Sequence, residues 1–131
     1  MKDHMPLVMV VDDEPVLCNI LQRILEREGY HVITAFEGET ALELVKQYKP
    51  DLVVLDIMLP GIGGRELSAH IRKIAESRII YFTARADLTM AEDNKELSEE
   101  ADAFLTKPAS IKKILATVEN TLGTSCIPVG I

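Results

Sequence analysis

Polar residues that could do chemistry together stand where short apolar runs end. Asp12 and Asp13 close the run 7–11, Asp56 closes 52–55, Thr83 closes 79–82, and Lys107 lies two positions beyond 103–105. Drawn to one place, the three carboxylates would need relief. Two unit charges about 5 Å apart at an effective dielectric near 20 repel by roughly 3 kcal/mol. A proton or a cation must offset this. A hard divalent ion such as Mg²⁺ takes oxygen ligands and fits a pocket of carboxylates with no His or Cys. Asp13 and Asp56 are expected as direct ligands, with Asp12 bound directly or through water. Ca²⁺ fits less well, because no D-x-D-x-D-G loop is present. A cation beside a carboxylate, with a hydroxyl and an ammonium converging on it, is suited to holding a phosphoryl group. The cation and Lys107 would neutralise its oxygens, Thr83 would donate a hydrogen bond, and an Asp56 oxygen would attack in line.

Taken singly, these residues say little. An Asp pair ahead of Pro15 serves equally well as a helix cap. Asp56 by itself reads as a turn residue, Thr83 as structural, and Lys107 as a solvated charge raised only by its place before Pro108. Their weight comes from occurring together at strand ends. Other features carry less. The segment GIGGRE, with Gly61, Gly63 and Gly64, has Glu66 where a dinucleotide fingerprint needs Gly or Ala, so a tight turn is the better reading. His4, His31 and His70 show no metal spacing. Glu92, Asp93, Glu96, Glu99 and Glu100 read as a solvated helix face that repels wrong partners.

The elements that must position the set follow from periodicity. The runs 7–11, 32–35, 52–55, 79–82 and 103–105 are too short for helices and nearly continuous in apolar character, as strands buried on both faces are. Between them lie amphipathic segments. Leu17, Ile20, Leu21 and Ile24 mark a first helix, begun near Pro15 and ended before Gly29. Leu42, Val45 and Tyr48 mark a second, Leu67, Ile71 and Ile74 a third, and Ile111, Ile114, Leu115, Val118 and Leu122 the last. A fourth helix falls within 89–100, where apolar residues are few. Strict alternation implies right-handed βαβ units, a parallel sheet covered on both faces, and a doubly wound α/β class. All strand C-termini then lie along one edge, where open α/β sheets bind ligands.

Bulk properties narrow the functions. At 131 residues the chain suits one domain, expected over 1–122, with 123–131 a tail or linker. A net charge of −7 without a run of Lys and Arg argues against direct nucleic-acid binding. Cys18 and Cys126 lack metal or disulfide spacing, and no apolar stretch has the length of a membrane span or a signal-peptide core. A cytoplasmic location with reduced thiols is expected.

The motifs VVDDEP, DLVVLDIMLPGIGG, YFTA and AFLTKP, in that order, resemble the motif set of response-regulator receiver domains from about Leu7 to Leu122. The resemblance implies a flavodoxin-like (βα)5 fold with strand order 2-1-3-4-5. It implies Asp56 as phosphoacceptor, Asp12 and Asp13 as metal-site acids, and the Met58 backbone carbonyl as a further Mg²⁺ ligand, with Mn²⁺ as a substitute ion. Thr83, the Ala84 backbone and Lys107 take phosphoryl-sensing roles, Phe104 matches the aromatic that repacks on activation, and the Lys107–Pro108 bond is commonly cis in relatives. The implied donor is a histidine kinase or phosphotransfer protein. The implied output is a protein partner, or a second copy of the chain, at the face made by the fourth helix, fifth strand and last helix. Such a domain is not a conventional enzyme, although it catalyses its own phosphorylation and dephosphorylation. The chain departs from the pattern at Glu100, where many relatives carry Gly, and in segment lengths around the third helix and that face. Two competitors are an aspartyl-nucleophile phosphohydrolase, which would carry a second acid where Met58 stands, and a phosphorylation-independent scaffold, disfavoured by the intact acids and Lys107.

Overall fold

The computed structural model describes residues 5–84 and 100–123. Its strands are β1 (Leu7–Val11), β2 (His31–Ala35), β3 (Leu52–Leu55), β4 (Arg78–Thr83) and β5 (Ala103–Thr106). Its helices are α1 (Pro15–Arg27), α2 (Gly38–Tyr48), α3 (Gly64–Ile74) and, as α4 here, Ile111–Leu122. The helix expected within 89–100 lies outside the described residues, apart from Glu100 at its end.

The strands form one parallel sheet in the order β2-β1-β3-β4-β5. That is the doubly wound class expected from the alternation of elements, in the order that the motif resemblance implies. Every residue of β3, at the centre, is buried, as a strand covered on both faces should be. One face of the sheet packs Met9, Val53, Ile79 and Tyr81 against Ala41 and Val45 of α2 and Leu67 and Ile71 of α3. The other packs Val8, Val10, Val54, Ile80 and Phe82 against Cys18, Leu21 and Leu25 of α1 and Ile114 and Val118 of α4. The residues of each strand alternate between the two faces, the period of two that pleating requires.

Several residues of the expected apolar stripes turn outward. Ile20 is 49% exposed, Tyr48 50% and Ile111 58%, because each helix buries a narrower strip than its apolar residues span. In α1 the buried line runs through Cys18, Leu21 and Leu25. Strand β4 is longer than 79–82 and includes Thr83 as its last residue.

Local chemistry explains the element ends. Pro15 occupies the first turn of α1, where its missing N–H costs nothing. The Ser110 hydroxyl caps α4 by accepting from the Lys113 N–H at 3.0 Å. Gly61 has φ +74, which turns the chain between β3 and α3. Gly64 meets a different demand: a Cβ there would lie 2.5 Å from the Asp56 carbonyl oxygen and from the Ile57 Cα. Helix α3 therefore begins directly against the backbone that carries Asp56.

Candidate functional site

The sheet delivers its polar ends to one edge through ladder bonds that run one residue past each strand. The Asp12 N–H donates to the Ala35 carbonyl at 3.1 Å, and the Asp56 N–H donates to the Val11 carbonyl at 3.1 Å. The Lys107 N–H donates to the Thr83 carbonyl at 2.8 Å. Asp12, Asp56, Thr83 and Lys107 are thus held by backbone pairing before any side chain interacts.

Carboxylate oxygens of Asp12, Asp13 and Asp56 lie within 4.8 Å of one another. Asp12 and Asp56 are buried and Asp13 is exposed, so the cluster opens to solvent on the Asp13 side. The Lys107 ammonium donates to Asp12 Oδ2 at 2.7 Å and to Asp56 Oδ2 at 3.0 Å, with Glu14 Oε1 at 3.5 Å. The other oxygens of the two buried acids accept from the backbone. Asp12 Oδ1 takes the Glu14 N–H at 3.0 Å, and Asp56 Oδ1 takes the Met58 N–H at 2.9 Å. These bonds fix the plane of each carboxylate. The Lys107 ammonium also lies 5.7 Å from the Phe82 ring centroid, so an apolar wall lines its stem.

Burial raises the Asp12 carboxyl above its ordinary pKa, with the Lys107 hydrogen bond pulling the other way. For Lys107 burial opposes the charged form, but hydrogen bonds to Asp12 and Asp56 outweigh it and raise its pKa. The ammonium stays charged throughout the physiological range. Behind the cluster, burial pushes the Cys18 thiol up to about 11, and its Sγ donates to the Asp12 carbonyl at 3.4 Å. It is packing, not a nucleophile.

The residues singled out from the sequence come together here. Thr83 is fully buried at the end of β4, and Ala84 is exposed directly after it. Met58 stands beside Asp56 with half its surface exposed. The Lys107–Pro108 peptide is cis. Phe104 sits one strand-width away on the α3 side, half-buried, its ring edge-on to Tyr81 with centroids 5.7 Å apart. Two participants were missed from the sequence. Glu14 carries no signal of its own beside the acid pair, and Glu100, expected on a solvated acidic helix face, instead has its carboxylate clamped by Arg65 and Tyr81. No spacing rule connects residues 65, 81 and 100.

A hard cation fits this donor set. The cluster presents only oxygens, two of its acids are held rigid by backbone N–H groups, and Lys107 already meets part of the demand for positive charge. Among the described residues no helix is long and apolar enough to cross a membrane.

Comparison with known proteins agrees. Residues 8–119 match the family model described as the response regulator receiver domain. The receiver domain protein from Methanospirillum hungatei JF-1 superposes with a TM-score of 0.83 at 28% identity, covering 92% of this chain and 95% of that one. The response regulator TrrA from Thermotoga maritima, solved in complex with Mg²⁺ and BeF, is 35% identical with a TM-score of 0.79, covering 89% and 99%. The N-terminal domain of a response regulator, sensory box and GGDEF protein from Carboxydothermus hydrogenoformans gives 28% and 0.79, covering 89% and 94%. With the motif order, the 2-1-3-4-5 sheet and a match over most of its length, this chain belongs to the receiver domains of two-component response regulators.

Proposed function

We propose that Asp56 accepts a phosphoryl group from a histidine kinase or phosphotransfer protein in a Mg²⁺-dependent reaction, and that the domain signals by the change this sets off. The observation that carries the reading is the meeting of Asp12, Asp13 and Asp56 with the Lys107 ammonium at one end of the sheet. The relative solved with Mg²⁺ and BeF supports it.

Asp12, Asp13, Asp56 and the Met58 carbonyl would hold the ion. When bound, Mg²⁺, or Mn²⁺ in its place, neutralises phosphoryl oxygens. The rest falls to the chain. Asp56 Oδ1 is engaged by the Met58 N–H and Oδ2 by Lys107, so the carboxylate presents a fixed orientation. A carboxylate oxygen attacks phosphorus in line, the phosphorus–nitrogen bond of the donor phosphohistidine breaks, and the imidazole leaves. Lys107 then exchanges an Asp56 oxygen for a phosphoryl oxygen, while the Thr83 hydroxyl and the Ala84 N–H donate to the others. With Thr83 drawn toward the new charge, Phe104 repacks and shifts the population of the output face made by the expected fourth helix within 89–100, β5 and α4. That face would contact a downstream protein or a second copy of this chain, in the cytoplasm. Residues 1–122 would form the signalling unit and 123–131 a tail.

The donor would meet a partly apolar rim. Val16 (71% exposed), Met58 and Ile111 stand near the acid pocket, and a cavity of about 290 Å³ lined by Leu17, Ile20, Phe82 and Pro108 opens beside Lys107.

Incubating the protein with Mg²⁺ and a small phosphodonor, then weighing it by mass spectrometry, tests the reading. One phosphoryl mass is expected on the native chain, and none on Asp56→Asn or without metal. A gain that persists in Asp56→Asn would place the acceptor elsewhere. Steady release of phosphate from metabolites would favour a phosphohydrolase.

A further inference from the structure

Glu100 ties three elements together. Arg65 of α3 grips its carboxylate in a two-pronged pair, Nε to Oε1 at 2.8 Å and Nη2 to Oε2. From β4, the Tyr81 hydroxyl donates to Oε1 at 3.0 Å. Its backbone carbonyl accepts from Arg72 at 3.1 and 3.2 Å and from the Ser68 hydroxyl at 3.3 Å. Two residues on, Asp102 Oδ2 accepts from Arg72 and from the Ile79 N–H. The chain leading into β5 is therefore fastened to α3 and β4 by polar groups.

The side chain at the centre is Tyr81, which is fully buried. A buried phenol needs an acceptor, and the Glu100 carboxylate supplies it. Arg65 balances that carboxylate, so accepting the bond costs little. One end of the ring is held by the core and the other by an ion pair. Phe104 is its register partner across β4 and β5 and meets it at 71°, and Phe104 is only half-buried. Of the two rings, Tyr81 is held at both ends and Phe104 is the one partly open to solvent. Thr83 lies two residues beyond Tyr81 in the same strand, hence on the same face, and its carbonyl holds Lys107. The ring contact and the acid pocket share one strand.

We propose that Glu100, braced by Arg65, is a positioning residue for the response: through the Tyr81 hydroxyl it holds Phe104 in the orientation that accompanies an acid pocket closed by Lys107. It thereby resists activation and sets how readily the pocket takes up a phosphoryl group. This rests on the reading above, in which Phe104 repacks when Asp56 is modified. Releasing the lock would populate the repacked orientation without a phosphoryl group and, by linkage, strengthen whatever binds that state.

The test labels the full chain with ring-¹³C phenylalanine and follows its three Phe signals, those of Phe36, Phe82 and Phe104, by ¹³C NMR, assigning Phe104 by its loss in Phe104→Leu, a change made also in Tyr81→Phe, whose ring at 81 adds a fourth signal. Spectra are taken with Mg²⁺, with and without beryllofluoride. In Tyr81→Phe, which keeps the ring and removes only the hydroxyl, and in Glu100→Gln, the Phe104 signal without beryllofluoride moves toward its bound position. Beryllofluoride binds about fivefold tighter, and Phe36 is unmoved. The double variant adds nothing further, since both changes cut one connection. If both single variants keep the native Phe104 signal and affinity while the native protein responds to beryllofluoride, the lock is refuted and the switch reading stands. If the native Phe104 signal ignores bound beryllofluoride, the switch reading fails and the lock falls with it. Should Glu100→Gln disturb the fold, Tyr81→Phe decides alone.

Discussion

Two polar clusters adjoin β4, one at its C-terminal end and one on its α3 side, and satisfy their charges in different ways. At the strand C-termini, Lys107 is set against Asp12, Asp56 and Glu14, with Asp13 beside them. Near the start of β5, Arg65 and Arg72 face Glu100 and Asp102, two cations to two anions among the described residues. The second cluster is balanced and fastens elements together. The first carries surplus negative charge within a few ångströms, which weakens the fold unless something positive arrives. Surplus charge in a place that backbone pairing has made rigid is the mark of a site kept for a ligand, whereas matched charge marks a joint.

Removing the cation from the unbalanced cluster should show this most strongly. Lys107→Met leaves Asp12 and Asp56 facing each other, and loses about 3 kcal/mol in metal-free denaturant unfolding. Millimolar Mg²⁺ should restore more stability to this variant than it adds to the native protein. An equal response of the two would show that the acids do not share a cation. A smaller effect of opposite sign is expected at Asp13, which is exposed and whose charge adds to the repulsion. Asp13→Asn should raise the metal-free melting temperature by about 4 °C, equivalent to about 1 kcal/mol, while weakening Mg²⁺ binding in a calorimetric titration. A variant that loses both would be acting structurally.

The smallest effect belongs to the balanced cluster and appears with pH. Hydrogen bonds from Arg65, working against burial and aided by Tyr81, hold the Glu100 carboxyl below its ordinary value of 4.5. A carboxyl whose folded pKa is depressed contributes stability that is fully present above the unfolded value and is lost as pH falls through the folded one. The stability difference between native protein and Glu100→Gln should therefore be constant from neutral pH down to about 4.5 and shrink below it. Unfolding curves across that range check this, and a gap that widens in acid would contradict the pairing.

The comparison also explains what could be read in the sequence. Asp12, Asp56, Thr83 and Lys107 were legible because each follows a strand, and parallel strands deliver their ends to one edge whatever the details of packing. The five strands and their parallel pairing followed from the same alternation, and their order from the motif resemblance. Glu100 was not legible, since its partners are 35 and 19 residues away and meet it only through the tertiary fold. Nor did the apolar stripes reveal that Ile20, Tyr48 and Ile111 face outward, because periodicity gives the direction of a buried strip but not its width.

The close seating of Gly64 on the Asp56 carbonyl and the Ile57 Cα has a consequence for how the domain tolerates change. No side chain fits between helix and loop, so the main chain of Asp56 and Ile57 is the floor on which α3 stands. Position 64 lies outside the acid cluster, yet even a methyl group there would push directly on the residue that carries one of its buried carboxylates. At this point the scaffold and the acid site are the same few atoms, and neither can be redesigned while the other is kept.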